Sequence, residues 1–248
     1  MSIKVWLCGP FGKMGTELRS AIEEADDVIL TGLISPEHVG EKAESNGQAL
    51  ETFETLESAK EKNELPDVIV DFTVAEAAFT NALFAAQNNV HFVSGTTGLS
   101  SDQKQEVIKV FDNSKSNAII ASNFSVGAVL MMHFAAQAAK HFSHAEIVET
   151  HHTQKKDAPS GTAITTQSMM IESSDLSQDQ IPIHSLRLPG AIAHQQVHLS
   201  SKGEILRIEH DANDRSCFMP GIILSILQVD SVNNILFSIE PLLFPNEV

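Results

Sequence analysis

The chain has 248 residues, 42% of them hydrophobic, with 16 Lys plus Arg against 32 Asp plus Glu and a formal charge of −16. That length holds one large domain or two modest ones with an ample core. The acidic balance predicts repulsion from nucleic-acid backbones and anionic membranes, so neither is expected as a partner, and an anionic ligand needs a local positive pocket.

Two distant cysteines, Cys8 and Cys217, make no disulfide framework, and no apolar stretch reaches the length of a membrane span. With the first residues running straight into a strand pattern, a cytoplasmic protein is expected.

Ile3 to Cys8 is a short apolar run of the kind a buried parallel strand needs. Gly9-Pro10-Phe11-Gly12-Lys13-Met14-Gly15 follows, and then helical spacing from Thr16 to Ala25. Strand, glycine turn and helix are the context of a dinucleotide fingerprint, in which backbone N–H groups approach a pyrophosphate at the helix N-terminus. The glycine spacing is one residue longer than the common pattern, and an ordinary strand-to-helix turn is the rival reading. Val28 to Ile34 reads as a second strand. Where an acid commonly holds the adenine ribose stand Ser35, Pro36, Glu37 and His38, which leaves the choice between NADH and NADPH open.

Glu41 to Asn63 is polar and poorly periodic, predicting loop plus a short helix. Strands are expected at Val68 to Thr73, Val90 to Ser94 and Ala118 to Ala121, and helices at Ala75 to Asn88 and Ser101 to Phe111. This alternation predicts a Rossmann-like, doubly wound parallel sheet. Its ligand edge, at the carboxyl ends of the strands, would comprise Gly9 to Gly15, Phe72-Thr73, Gly95 to Gly98 and Ser122 to Phe124.

Gly127 to Phe142 reads as a long apolar helix whose Met131, Met132 and Phe134 are core rather than a cofactor box. Ala145 to Thr150 reads as a strand leading into His151-His152-Thr153-Gln154-Lys155-Lys156-Asp157-Ala158-Pro159-Ser160-Gly161-Thr162. Ser160 is an N-cap for a helix from Thr162 to Ile171, and the first amides of that helix, near Gly161 and Thr162, form an anion site. Lys155 adds a mobile positive charge, and His151 or His152 can exchange a proton near neutral pH. These parts suit a small carboxylate substrate that is protonated while it reacts. A solvated loop and a zinc site are the rival readings, though no Cys lies nearby and adjacent histidines rarely point at one metal.

From Ile183 the pattern changes to strand-like runs, His184 to Leu188, Gln195 to Ser200 and Ile205 to His210, which read as antiparallel. A helix at Pro220 to Asp230 and a strand at Asn234 to Ile239 close the chain, the strand returning to the first sheet. The expected organisation is a dinucleotide-binding domain at 1–124 plus 220–248, and a second, α+β domain at 125–219 with an open, largely antiparallel sheet for substrate binding and oligomerisation.

Five motifs in this order resemble the dihydrodipicolinate reductase family: Gly9-x-x-Gly12-Lys13-Met14-Gly15, Asp71-Phe72-Thr73, Gly95-Thr96-Thr97-Gly98, Asn123-Phe124-Ser125-Val126-Gly127 and the run from His151 to Ala163. The resemblance covers the chain from Gly9 to about Gly221. It implies NADPH- or NADH-dependent reduction of a dihydropyridine dicarboxylate to tetrahydrodipicolinate on the diaminopimelate route to lysine. By the same resemblance His151 is the acid/base residue and Lys155 the proton-donating or charge-stabilising lysine, while His152, Ser160, Gly161 and Thr162 bind substrate carboxylates. Gly9, Pro10, Phe11, Gly12, Lys13, Met14, Gly95, Thr96, Thr97, Ala121, Ser122, Asn123 and Phe124 match cofactor contacts, no metal is implied, and the assembly is a homotetramer. Ser35-Pro36 departs from an acidic residue followed by a basic one, and Gly190-Ala191-Ile192-Ala193-His194 departs from the Gly-x-x-Gly-x-His run. A reductase of another cyclic imine dicarboxylate and a catalytically silent dinucleotide sensor are the alternatives.

Overall fold

The structure is a computed structural model and describes residues 2–45 and 47–245. In chain order the elements are β1 (Ile3–Cys8), α1 (Lys13–Glu23), β2 (Val28–Ile34), β3 (Lys42–Ser45), β4 (Gln48–Phe53), α2 (Leu56–Lys62) and β5 (Val68–Asp71). Then come α3 (Ala75–Gln87), β6 (His91–Ser94), α4 (Ser101–Asp112), β7 (Ala118–Ile120), α5 (Val126–Ala139), β8 (His144–His151) and α6 (Gly161–Ser173). The chain closes with β9 (Ile183–Arg187), β10 (Ala193–Ser201), β11 (Glu204–Ala212), α7 (Met219–Gln228), β12 (Ile235–Leu236) and α8 (Glu240–Leu243). These elements form two compact units, Met1–Phe124 with Met219–Val248, and Ser125–Phe218.

The first unit is built on an eight-stranded sheet of order β12-β7-β6-β5-β1-β2-β4-β3. All of its pairings are parallel except the outermost, β3 with β4. The central strands are apolar on both faces because helices cover both; Val5, Trp6, Leu7 and Cys8 are fully buried. Helix α1 buries Gly15, Leu18 and Ile22, a stripe at helical spacing. Helices α2 and α4 start at capping boxes, Thr55 with Ser58 and Ser100 with Gln103.

The second unit carries a four-stranded sheet of order β11-β10-β8-β9. Ala145, Ile147 and Glu149 of β8 share a buried face with Leu199, Val197 and Gln195 of β10, their register partners. Helices α5 and α6 pack together and cover this face. The opposite face carries Glu146, His198, Arg207 and Ile205 and has no covering layer among the described residues.

Several boundaries and one pairing differ from the sequence expectation. The first helix begins at Lys13, not Thr16, because Gly12 takes the extended N-cap conformation inside the glycine turn. The polar segment from Glu41 contains a hairpin, β3 and β4, in which only Ala43 and Ser45 of β3 turn inward. Its residues lack a β-branched apolar signature, yet Gly47 has a φ of 73° and the Asn46-Gly47 pair is a hairpin signal. Strand β9 pairs with β8 in parallel rather than antiparallel, since α6 serves as the crossover between them. The final strand does join the first sheet, against β7, but spans only Ile235–Leu236 before α8 begins. No helix among the described residues is long and apolar enough to cross a membrane.

Candidate active site

In the first unit, register brings the ends of five strands to one edge. Cys8 lies opposite Ile34 and Asp71, Asp71 opposite Ser94, and Ser94 opposite Ile120. The residues that leave those strands, Gly9, Ser35, Phe72, Gly95 and Ala121, therefore emerge side by side. Gly9 has a φ of 80°, and a Cβ there would lie 2.6 Å from the Phe72 carbonyl oxygen. A Cβ on Gly15 would run into the Gly9 carbonyl oxygen. Only glycine fits this cradle, and it opens on the N-terminus of α1, whose N-cap Gly12 has no side-chain cap. That backbone geometry fits the pyrophosphate of a dinucleotide.

Two clusters hold the edge in place. Asp71 is fully buried and accepts from Asn81 Nδ2 (2.7 Å), Thr96 Oγ1 (2.8 Å), Thr73 Oγ1 (2.9 Å) and Thr73 N–H (3.1 Å). Burial pushes its pKa up, against the pull of those bonds. At the end of β2, Ser35 is buried and its hydroxyl lies 2.9 Å from His38 Nδ1. The His38 ring in turn stacks on Phe11 at 4.3 Å, and the Arg19 guanidinium sits 5.5 Å over that same phenyl ring. A cavity of 350 Å³ lies at the edge, lined by Thr96, Thr97, Gly98, Ala121, Ser122 and Phe237 among others. Phe124 is buried, edge-on to Phe72 at 6.1 Å.

In the second unit, β8 ends at His151, whose Nδ1 lies 2.5 Å from Glu149 Oε2. Glu149 is fully buried and also accepts from Arg187 Nη1 (2.9 Å), Arg187 Nη2 (3.0 Å) and the Ser160 N–H (3.2 Å). Burial opposes ionisation of Glu149, but the bonds from Arg187, Ser185 and His151 outweigh it, and its pKa is lowered. Burial of the His151 ring, reinforced by the Lys155 and Arg187 charges, outweighs Glu149 and lowers the histidine's pKa below its ordinary value.

Lys155 pairs with Asp157 at 2.7 Å, and its ammonium, first among the causes, lowers the Asp157 pKa. Ser160 caps α6 by accepting from the Ala163 N–H (3.2 Å). Gly161, in the first turn, is exposed, and a Cβ there would meet nothing within 4 Å. His151, Lys155, Ser160, Gly161 and Thr162 thus share one strand end and the helix start behind it, with His152 exposed in the intervening turn. No group of three or more His, Cys, Asp or Glu able to hold a metal occurs among the described residues.

No sequence motif assigns a role to Glu149, Arg187 or His38. The signal for Glu149 was its period-2 register with Ala145 and Ile147, which puts a carboxylate on the buried face of β8. Arg187 gave none, because its partner is 38 residues away and meets it only through the parallel β8–β9 pairing.

Fold and site together define a class: a two-unit α/β protein with a Rossmann-like, glycine-cradled sheet in one unit and a His/Lys/helix-start cluster in the other. Within that class the chain belongs to the dihydrodipicolinate reductase family, whose N-terminal model matches residues 3–124 and whose C-terminal model matches residues 127–243. It is 36% identical to the 4-hydroxy-tetrahydrodipicolinate reductase of Moorella thermoacetica, over 98% of this chain and 98% of that one. With the enzyme of that name from Enterococcus faecalis the identity is 39%, over 97% and 100%. A solved structure of dipicolinate-bound dihydrodipicolinate reductase from Paenisporosarcina sp. TG-14 superposes with a TM-score of 0.85 at 36% identity, covering 97% of this chain and 99% of that one.

Proposed function

We propose that this chain reduces 4-hydroxy-tetrahydrodipicolinate, or the dihydrodipicolinate derived from it, to tetrahydrodipicolinate on the diaminopimelate route to lysine. The observation that carries the reading is the second-unit cluster, where a histidine and a lysine precede a capped helix start that can take a carboxylate. Family membership and the dipicolinate-bound neighbour support it.

When bound, NADPH or NADH supplies the hydride. The first unit would hold it through Gly9, Pro10, Phe11, Gly12, Lys13 and Met14 around the pyrophosphate, and through Gly95, Thr96, Thr97, Ala121, Ser122, Asn123 and Phe124 along the strand ends. In the second unit, the Gly161 and Thr162 amides at the start of α6 take one ring carboxylate with the Ser160 hydroxyl beside them, and His152 and Lys155 add cationic and hydrogen-bonding contacts. Reduction leaves negative charge on the nitrogen side of the ring. Lys155 stabilises that charge, and His151 delivers the proton that quenches it.

For Lys155 this role requires release from Asp157, and an incoming substrate carboxylate can replace that partner. The arriving dianion also favours the imidazolium form of His151, so the donor is charged when it is needed. We further place the protein in the cytoplasm and assign it a homotetramer, in which the open outer face of the β8–β11 sheet finds its cover on other copies.

A coupled assay, generating the precursor enzymatically and following nicotinamide absorbance, tests the reading. Substrate-dependent oxidation of the cofactor supports it. Cofactor binding without turnover would instead favour a silent sensor, and turnover only with a different cyclic imine would move the substrate assignment.

A further inference from the structure

We infer that Glu149 is a positioning residue for this reaction, fixing the tautomer and aim of His151 and tying that histidine to the start of the anion-binding helix. The inference rests on the reading of His151 as the proton donor. Glu149 is fully buried, and its donors come from three places: His151 on β8, Arg187 on β9, and the Ser160 backbone just before α6. An ionised carboxylate accepts only, at about four lone-pair sites. Oε2 takes His151 and Arg187 Nη1, and Oε1 takes Arg187 Nη2 and the Ser160 N–H. With its lone pairs committed in this way, the carboxylate cannot rotate away from the histidine.

The consequence for His151 is specific. Facing an acceptor without a proton, Nδ1 must carry the hydrogen, so the neutral ring keeps its lone pair on Nε2. A proton is therefore loaded from solvent at Nε2 and given to the substrate from that same atom. Arg187 extends the frame, since Nη2 also donates to the Asp157 carbonyl (2.7 Å) and the Asp157 carboxylate holds Lys155. One buried carboxylate thus sets donor, helix start and lysine loop together. The bland alternative is a buried ion pair that serves stability alone.

Nitrogen NMR on the ¹⁵N-His-labelled protein, with kinetics of Glu149→Gln and Glu149→Asp, separates the two. In the wild-type protein the neutral His151 ring should be the Nδ1–H tautomer, and in Glu149→Gln the Nε2–H form should appear. Turnover of Glu149→Gln should fall about 10²-fold, with KM and cofactor affinity little changed. Glu149→Asp, which keeps the charge, should recover part of that loss. The charged groups acting on His151 are Glu149, Arg187 and Lys155, with Asp157 bound to Lys155. Losing the one negative charge in contact with it disfavours the imidazolium, so the alkaline limb of the rate profile should move to lower pH. An Nε2–H tautomer in the wild-type protein overturns the inference even if Glu149→Gln does not fold. A normal rate and pH profile in Glu149→Gln overturns it whatever happens to the melting temperature. Full turnover in His151→Gln would instead defeat the reading of His151 as donor, while leaving the tautomer result standing.

Discussion

At the scale of single residues the chemistry rests on two basic groups of different kind, His151 and Lys155. His151 has its pKa lowered by burial, with Lys155 and Arg187 adding to the effect, so the free protein carries it largely neutral at pH 7. A bound dicarboxylate brings negative charge and raises that pKa again. Pyridine-2,6-dicarboxylate should therefore bind with net proton uptake between the lowered and the raised value. Calorimetry in buffers of different ionisation enthalpy reads this directly, and proton release would show the sign to be wrong. His151→Gln and Lys155→Ala should each cut turnover about 100-fold or more, with cofactor affinity nearly intact. Near-normal turnover in both variants would remove these residues from the chemistry. Lowered pKa also has a stability sign. The unfolded chain binds the His151 proton more readily, so this histidine's contribution is present above the ordinary histidine value and is lost as pH falls through the lowered one.

At the scale of elements, the glycine cradle and the end of β2 carry the cofactor argument. Gly9→Ala puts a methyl group against the Phe72 carbonyl oxygen at a positive φ. A loss of about 1–3 kcal/mol in stability or dinucleotide affinity is expected, readable by thermal melting and by cofactor titration. Ser35 is buried with its hydroxyl on His38, which packs against Phe11, so on the proposed cofactor site His38 rather than Ser35 would meet a 2′-substituent. Both cofactors should work, with a lean of less than about tenfold toward NADPH. His38→Ala should shift that lean toward NADH, and a wild-type preference for NADH above about a hundredfold would point to Glu37 instead. What the sequence made legible here was local. Val28 to Ile34 and the Gly9–Gly15 turn announce themselves by composition, whereas the Ser35–His38 contact depends on a short helical turn at Pro36–His38 that no periodicity reveals.

At the scale of the whole molecule, the first sheet was readable because each buried strand is a short apolar run bounded by polar turns. The hairpin of β3 and β4 was not, since β3 turns only Ala43 and Ser45 inward and carries no apolar run. The parallel β8–β9 pairing was hidden for a related reason: strand direction is set by the crossover through α6, not by the strand's own residues. The same rule hid the Arg187–Glu149 contact, while the motif residues His151 to Thr162 were legible because they are contiguous. A ligand that binds only the folded protein stabilises it by about 2.7 kcal/mol at 100 times its Kd. Pyridine-2,6-dicarboxylate at that excess should raise the melting temperature of the protein by about 5–11 °C. Absence of a shift at millimolar analogue would count against the carboxylate site.

The central claim is a reduction that joins a nicotinamide cofactor to a cyclic dicarboxylate. Its most direct test is steady-state turnover with enzymatically generated dihydrodipicolinate precursor, with each cofactor in turn and with His151→Gln as control. The account predicts substrate-dependent loss of nicotinamide absorbance with both cofactors, falling about 100-fold in the variant. A wild-type protein that binds cofactor and pyridine-2,6-dicarboxylate yet consumes no NADPH or NADH would contradict it.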